Sequence, residues 1–294
     1  MNKATERLML QLKALADPVR LRLVTLCTHG ECSVSELTGV LVQSQPRISQ
    51  HLKQLCDAGL LQRFRDGHFV YYRLAGQGGD AVLRRRLLAL VPADEPVFCR
   101  DIERLRELRS SQEAPLPVLD EDDRSLHRAL VELTVTAPVG DLIDIGSGQG
   151  RILKLLASRA QRAVGVDIDS NARRFARAEL LLAGLSNCTL RKGDMYELPF
   201  PDGKFDTIIL DDVLSNAERP TAVLGEARRL LRPGGRLLLL AAVDSVTASR
   251  LGRRFAKWCA STGLRLAAPR CIPAKNPRWL LAVATTVNDG RAAA

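Results

Sequence analysis

The segment Asp144-Ile-Gly-Ser-Gly-Gln-Gly150 limits what this chain can fold into more than any other stretch. It follows the apolar run Leu142-Ile-Asp-Ile145 and opens into Arg151-Ile-Leu-Lys-Leu-Leu156, so it reads as a strand, a tight glycine turn and a helix. Gly146, Gly148 and Gly150 let the backbone turn sharply and lie against a ligand, with Ser147 between them and helix N-terminal N–H groups facing outward. Asp144, two residues before the first glycine, sets the charge of that ligand. A loop that cradles a pyrophosphate is disfavoured by an adjacent carboxylate, whereas a cofactor with a cationic amino-acid end is favoured.

With 294 residues, 46% of them hydrophobic, the chain has room for two domains with their own cores. Aromatics make up 4%, so those cores must be built from Leu, Val, Ile and Ala. No apolar run approaches the roughly 20 residues of a membrane span. The N-terminal residues lead into an amphipathic pattern and not a signal sequence. Seven cysteines without a CxxC spacing suit reduced thiols, so a cytoplasmic protein without a membrane anchor is expected. The net charge of +10 invites a nucleic-acid partner, and it is unevenly spread. The first ninety or so residues are basic and the stretch 94–123 is acidic. Arg250, Arg253, Arg254, Lys257, Arg265, Arg270, Lys275 and Arg278 crowd the C-terminal part.

Residues 1–91 carry the signs of a mainly-α winged helix-turn-helix. Leu8, Met9, Leu12 and Leu15 form one helical stripe, and Asp17-Pro18 starts a second helix with Asp as cap and Pro in the first turn. Ser33-Val-Ser-Glu36 is a capping box for a third. Ser44 is the expected cap of a fourth, from Gln45 to about Ala58, ending at Gly59. In that helix Ile48, Leu52 and Leu55 share one face, while Arg47, Gln50, Lys53 and Gln54 lie opposite, a polar basic face suited to a major groove. The strands around Asp66-Gly67 alternate as a hairpin, the wing, from which Arg63, Arg65, His68 and Arg73 can reach phosphates. Ser44, Gln45, Arg47, Ser49, Gln50, Lys53, Arg65, His68 and Arg73 are therefore the expected DNA-binding residues. A later helix, 80–90, can pair with the first in a dimer.

The runs Leu12-Lys-Ala-Leu-Ala-Asp-Pro-Val-Arg-Leu-Arg-Leu-Val24, Val34-Ser-Glu-Leu37 and Ser44-Gln-Pro-Arg-Ile-Ser-Gln-His-Leu-Lys-Gln-Leu55 resemble the ArsR/SmtB family of bacterial repressors. The resemblance covers nearly the whole first domain and implies a homodimer on a palindromic double-stranded DNA operator. Arsenic- and cadmium-sensing members place two cysteines about the valine of the third helix. Here those positions are Ser33 and Ser35, with Cys32 out of register, and a hydroxyl is a poor ligand for a soft metal. Asp80 also lacks the nearby histidine of zinc-sensing members. No metal site is expected. Cys27, Cys32 and Cys56 read as small buried hydrophobes and His51 as a packing residue.

Residues 92–125 read as a linker, marked by Pro92, Pro96, Pro115 and Pro117, with at most a short exposed helix at its centre. From 126 to 294 strands and helices alternate as an α/β Rossmann-like doubly wound parallel sheet that ends in two further strands. Asp167 closes the second strand some twenty residues past the glycines, where a carboxylate can take both ribose hydroxyls, and Ile168 can pack on an adenine. Asp194 in Gly193-Asp194-Met195 is placed to accept an adenine amino group, with Met195 on the ring. With the cationic preference of Asp144, these point to S-adenosylmethionine over a dinucleotide.

The order Asp144, Gly146, Gly148, Asp167, Asp194, Leu198-Pro-Phe-Pro-Asp-Gly-Lys-Phe-Asp206 and Arg232-Pro-Gly-Gly235 resembles the class I S-adenosylmethionine-dependent methyltransferases over residues 138–287. The cofactor residues that follow are Asp144, Gly146, Ser147, Gly148, Gly150, Asp167, Ile168, Asp194, Met195 and Asp211. Many small-molecule methyltransferases of this group carry a histidine pair after the fourth strand; this chain has Asp211-Asp-Val-Leu-Ser-Asn216, so no histidine base is available. The tetrads of DNA base methylation are absent, and Cys188, Cys259 and Cys271 are too separated for arsenic methylation. Asp211 and Asp212 either face the methyl group or contact the methionine end. Methyl transfer can proceed by alignment alone, so the lack of a base does not exclude it.

The sequence thus leads to a DNA-binding transcriptional regulator whose C-terminal domain binds S-adenosylmethionine or S-adenosylhomocysteine as a sensing ligand. The alternative is an active methyltransferase on a small-molecule acceptor with an autoregulatory DNA-binding domain.

Overall fold

The computed structural model describes residues 2–66, 69–76, 81–92, 94–110 and 121–286. The chain divides into two units, residues 1–115 with 177–186, and residues 116–176 with 187–294.

In the first unit α1 (Lys3–Leu15), α2 (Pro18–Thr28), β1 (Cys32–Ser33), α3 (Val34–Leu41) and α4 (Gln45–Asp57) precede β2 (Leu61–Asp66) and β3 (Phe69–Leu74). Then come α5 (Ala81–Leu88) and α6 (Pro96–Ser110). The strands form a three-stranded antiparallel sheet in the order β1-β3-β2. Asp17 caps α2 by accepting from the Arg20 amide at 2.9 Å. Ser33 and Glu36 complete the capping box of α3 in both directions, at 3.2 and 2.6 Å. Ser44 occupies the cap position of α4, but its side chain makes no capping bond, and Pro46 starts that helix instead. Leu23, Leu26, Leu37, Ile48, Leu52, Leu55 and Leu60 are fully buried and fix α2, α3 and α4 around one core.

The short exposed helix expected within 92–125 is corrected by α6. It runs fifteen residues and buries Phe98 and Leu105, the latter within the core of the first unit. Its stripe Phe98, Ile102, Leu105, Leu108 has helical spacing, but Glu103-Arg-Leu-Arg-Glu-Leu-Arg109 looks like a solvated face when read as charge alone. Two of the charges on α6 are buried and engaged, while Glu103, Arg104, Arg106 and Glu107 are exposed. Asp101 takes a bidentate pair of bonds from Arg22 at 2.6 and 2.7 Å, and Arg109 donates to Glu36 at 2.6 Å.

The second unit begins with α7 (Glu121–Thr136), followed by β4 (Asp141–Ile145), α8 (Arg151–Ala157), β5 (Arg162–Asp167) and α9 (Ser170–Leu182), which belongs to this unit through Ala176. Next come β6 (Cys188–Lys192), β7 (Phe205–Asp211), α10 (Val213–Asn216), α11 (Pro220–Leu230) and β8 (Leu231–Ala242). The chain continues with α12 (Thr247–Ser261), β9 (Leu264–Leu266), β10 (Arg270–Ile272) and β11 (Trp279–Thr286). The sheet order is β10-β11-β8-β7-β4-β5-β6, with β9 also on β11. Strands β4 to β8 pair in parallel, and their apolar runs are buried on both faces.

The sheet is nevertheless mixed, and three further strands follow β8 where two were expected. β11 runs antiparallel to β8, β9 and β10. Only residues 273–278 join β10 to β11, a connection too short for a parallel crossover. β9 and β10, at three residues each, are too brief for an alternation to register in the sequence. The arrangement that matters for a ligand is at β4, which has β5 on one side and β7 on the other. The carboxyl end of β4 is therefore the switch point where an open α/β sheet leaves a crevice. Among the described residues no helix is long and apolar enough to cross a membrane.

Candidate cofactor site and nucleic-acid face

The glycine loop leaves β4 at the switch point. The amides of Gly146 and Ser147 both donate to the Val166 carbonyl, at 2.7 and 3.0 Å, which ties the turn to the end of β5. Gly146, Gly148 and Gly150 all have positive φ. A side chain on Gly146 would collide with Val213, whereas at Gly148 a Cβ would meet nothing within 4 Å. Gly148 thus needs glycine for its backbone conformation and leaves the loop open on that side.

Asp144 sits beneath this loop, 1% exposed. Its Oδ1 is buried and has no hydrogen-bond partner. Burial drives its carboxyl well above the ordinary 3.8, and the neighbouring Asp211 and Asp167 carboxylates push in the same direction. A buried, unpartnered carboxylate oxygen among further carboxylates is a poor neighbour for phosphate and a good one for a cation. The donor set fits a cofactor with a cationic amino-acid end.

The other expected cofactor residues are distributed along the same edge. Asp167 ends β5 and accepts from the Gly148 amide at 2.7 Å and from the Asp169 amide at 2.8 Å, one bond on each oxygen. A carboxylate has about four acceptor sites, so capacity for hydroxyl donors remains. Ile168 beside it is 70% exposed, an apolar surface held open to solvent. Asp194 follows β6 and accepts from the Tyr196 amide at 3.0 Å, with Met195 partly buried. Asp211 ends β7.

Asp211 and Asp212 separate cleanly. Asp212 has positive φ, and its carboxylate accepts from the Ala242 amide at 2.8 Å, pinning β7 to β8. Asp211 instead faces Arg151, which donates to both of its oxygens at 2.9 and 3.2 Å. Burial raises the Asp211 carboxyl, while Arg151 works against that rise. The Arg151 guanidinium also lies 4.3 Å from the centre of the Trp279 ring. Sequence reasoning missed both Arg151 and Trp279. Arg151 carried a signal, since it directly follows the last glycine of the loop. Trp279 carried none: its place at the start of β11 follows from a strand order that short strands conceal.

On the first unit, Ser44, Gln45, Arg47, Gln50 and Lys53 are exposed along α4, opposite buried Ile48, Leu52 and Leu55, and Ser49 is half-buried at the boundary. Arg65 is exposed on β2. His68 lies outside the described residues. Arg73 is the exception. Its guanidinium is turned inward to Glu31 at 3.2 Å and Gln62 at 3.3 Å, and lies 4.8 Å from the Phe64 ring centre. Buried Glu31 also accepts from Arg177 at 2.7 Å, so Arg73 is one of two cations on that carboxylate. Cys27 and Cys32 are buried, Cys56 is half-buried, and all three are free. The adjacent Cys32 thiol and burial keep the Cys27 thiol protonated, far from a reactive thiolate.

Residues 17–63 match the family model described as bacterial regulatory protein, arsR family. A curated relative, the arsenic resistance transcriptional regulator ArsR1 of Pseudomonas putida, is 41% identical over 35% of this chain and 81% of its own length. The chain belongs to the arsR family. Behind that DNA-binding domain, residues 143–239 match the model of a methyltransferase domain. This part of the arsR-family chain is 36% identical to the ubiquinone/menaquinone biosynthesis C-methyltransferase UbiE of Paraburkholderia phymatum, over 39% of this chain and 50% of that protein. The chain therefore spans about half the length of that relative. A SAM dependent methyltransferase from Aquifex aeolicus aligns over 62% of this chain and 98% of its own, at 15% identity and a TM-score of 0.49.

Proposed function

We propose that this arsR-family protein is a transcriptional regulator whose methyltransferase domain receives S-adenosylmethionine or S-adenosylhomocysteine as a sensing ligand. The observation that carries the reading is the orphaned Oδ1 of Asp144, buried under a glycine loop that is open at Gly148. In this reading Asp144 and Asp211 meet the cationic amino-acid end. Asp167 takes the ribose hydroxyls, Asp194 the adenine amino group, and Ile168 and Met195 flank the ring. Gly146, Ser147, Gly148 and Gly150 form the cradle. Ser44, Gln45, Arg47, Ser49, Gln50, Lys53 and Arg65 contact the operator.

A second copy of the chain is part of the reading. Met9, Leu10 and Leu12 on α1, Val82 on α5 and Leu90 just beyond it are exposed large apolar residues on helices that can pair between protomers. A ligand shifts operator affinity only if it binds the DNA-competent form with a different affinity from the other form.

A second reading, methyl transfer to a small molecule, is favoured by Asp211, a carboxylate at the end of β7 whose carboxyl burial raises above its ordinary value. The two are separated by incubating the protein with S-adenosylmethionine and candidate acceptors. Steady release of S-adenosylhomocysteine supports the enzyme, while stable binding without turnover supports the sensor. Arg47→Ala should weaken operator binding by about tenfold or more, as for removal of one good base or phosphate interaction. The same variant should leave cofactor affinity unchanged in calorimetry. Unchanged operator binding would remove α4 as the reading helix.

A further inference from the structure

The sensing reading leaves one strongly charged surface unused. Between Asp244 and Asp289 the chain contains eight cationic residues and no acidic one. Four of the cations, Arg250, Arg253, Arg254 and Lys257, lie on α12 at i, i+3, i+4 and i+7, and all four are exposed. On a helix that spacing is one continuous stripe, about 10 Å long at about 1.5 Å per residue. The opposite face is apolar and buried through Leu251, Phe255 and Cys259, so α12 has a single fixed orientation in its unit.

Three other arginines of this unit show what a structural role looks like here. Arg229 pairs with Glu226 and Asp202, Arg232 with Asp206 and Asp141, and Arg236 caps the carbonyls of Leu133 and Ala137. Among the described residues, none of the four cations on α12 is in an ion pair. The single contact in the stripe is Arg254 against the Trp258 ring at 4.6 Å, which stiffens the guanidinium without neutralising it. Like charges three and four apart cost a helix about 0.2–0.5 kcal/mol per pair. The fold gains nothing in return, so the stripe is an arrangement suited to a polyanion.

We infer that the α12 stripe is a second, sequence-independent DNA surface that binds the phosphates of duplex DNA. Three arginines among four cations favour phosphate, which the planar guanidinium grips in bidentate fashion. The helix lacks what an interfacial membrane helix needs. Its exposed uncharged residues are Thr247, Ser249, Ala256, Ala260 and Ser261, and the exposed Val246 precedes it. The stripe's length matches roughly three base-pair steps at about 3.4 Å each. This inference is independent of whether a cofactor binds.

The test uses full-length protein and a fluorescent random-sequence duplex, with affinity followed across a salt titration. Arg250→Gln, Arg253→Gln, Arg254→Gln and Lys257→Gln together should weaken binding by roughly tenfold at physiological salt. They should also lower the slope of log affinity against log salt by about two to four, near 0.9 for each phosphate that is no longer neutralised. Each single substitution should lower the slope by about one or less, and replacing the three arginines by lysine should retain most of it. The preference for operator over random duplex should survive, since this surface reads no bases. An unchanged slope and affinity in the fourfold variant would overturn the inference. So would unchanged DNA binding with loss of adhesion to phosphatidylserine vesicles, which would make the stripe a membrane surface.

Discussion

Asp101 and Arg109 in the first unit lie as deep as Asp144 in the second, yet the chain treats them in opposite ways. Asp101, 2% exposed, holds Arg22 through two bonds, and Arg109, 3% exposed, holds Glu36. Burial pulls the Glu36 carboxyl up, and Arg109 together with the Ser33 hydrogen bonds more than reverses it, so that it ends below its ordinary value. Asp144 has no such cation within hydrogen-bond reach of Oδ1. A buried charge that finds its partner within the fold is architecture. Asp144 is only part-matched: the Leu153 amide bonds to its carboxyl and Arg151 acts on it through space, while Oδ1 has no partner, and such an oxygen costs stability unless something outside the chain completes it.

Breaking a matched pair should have the largest effect. Arg109→Ala leaves Glu36 buried without its cation and should destabilise the first unit by about 3–5 kcal/mol, measured by denaturant unfolding. A loss well under that would mean the pair is solvated. Next comes the ligand edge. Asp167→Ala removes both the proposed hydroxyl acceptor and the bond to the Gly148 amide. It should weaken cofactor binding by about tenfold to a hundredfold, equivalent to roughly one or two hydrogen bonds to a charged group. Unchanged affinity would move the site elsewhere.

Asp144→Asn inverts the usual sign of a core substitution. Relieving an unmatched carboxylate should stabilise the ligand-free second unit by about 1–2 kcal/mol while removing the stabilisation that S-adenosylmethionine confers. The effect must depend on pH in a stated direction. The Asp144 carboxyl is raised by folding, so its cost is absent below the unfolded value near 3.8 and grows as pH rises through its folded value. The stability gap between wild type and Asp144→Asn should therefore widen from acid to neutral pH. The Arg109–Glu36 pair runs the other way. Glu36 is held below its ordinary value, so its contribution is present at neutral pH and is lost on acidification. If both slopes had the same sign, the contrast between the two regions would fail.

The parts of this molecule that the sequence reveals are those set by local chemistry. Asp17-Pro18, the Ser33–Glu36 box and the glycine loop each demand a specific backbone, and each stands where its residues place it. The carboxylates at the ends of β4, β5 and β7 were legible because strand ends follow from apolar runs. What stayed hidden depends on partners distant in the chain. Arg73 reads as a wing cation until Glu31, forty-two residues earlier, claims it. Asp101 and Arg109 of α6 read as solvent-facing until Arg22 and Glu36 are placed beside them. Asp211 and Asp212 are indistinguishable in sequence, and only the Ala242 amide separates the one that holds the sheet from the one that faces Arg151.

The most direct measurement is operator affinity of the full-length protein with and without saturating S-adenosylmethionine or S-adenosylhomocysteine, with Asp144→Asn in parallel. A sensing domain predicts that at least one of the two ligands changes operator affinity by well over twofold in the wild type and by nothing in the variant. Identical operator affinity with either ligand at saturation, in a protein that demonstrably binds them, would contradict the account.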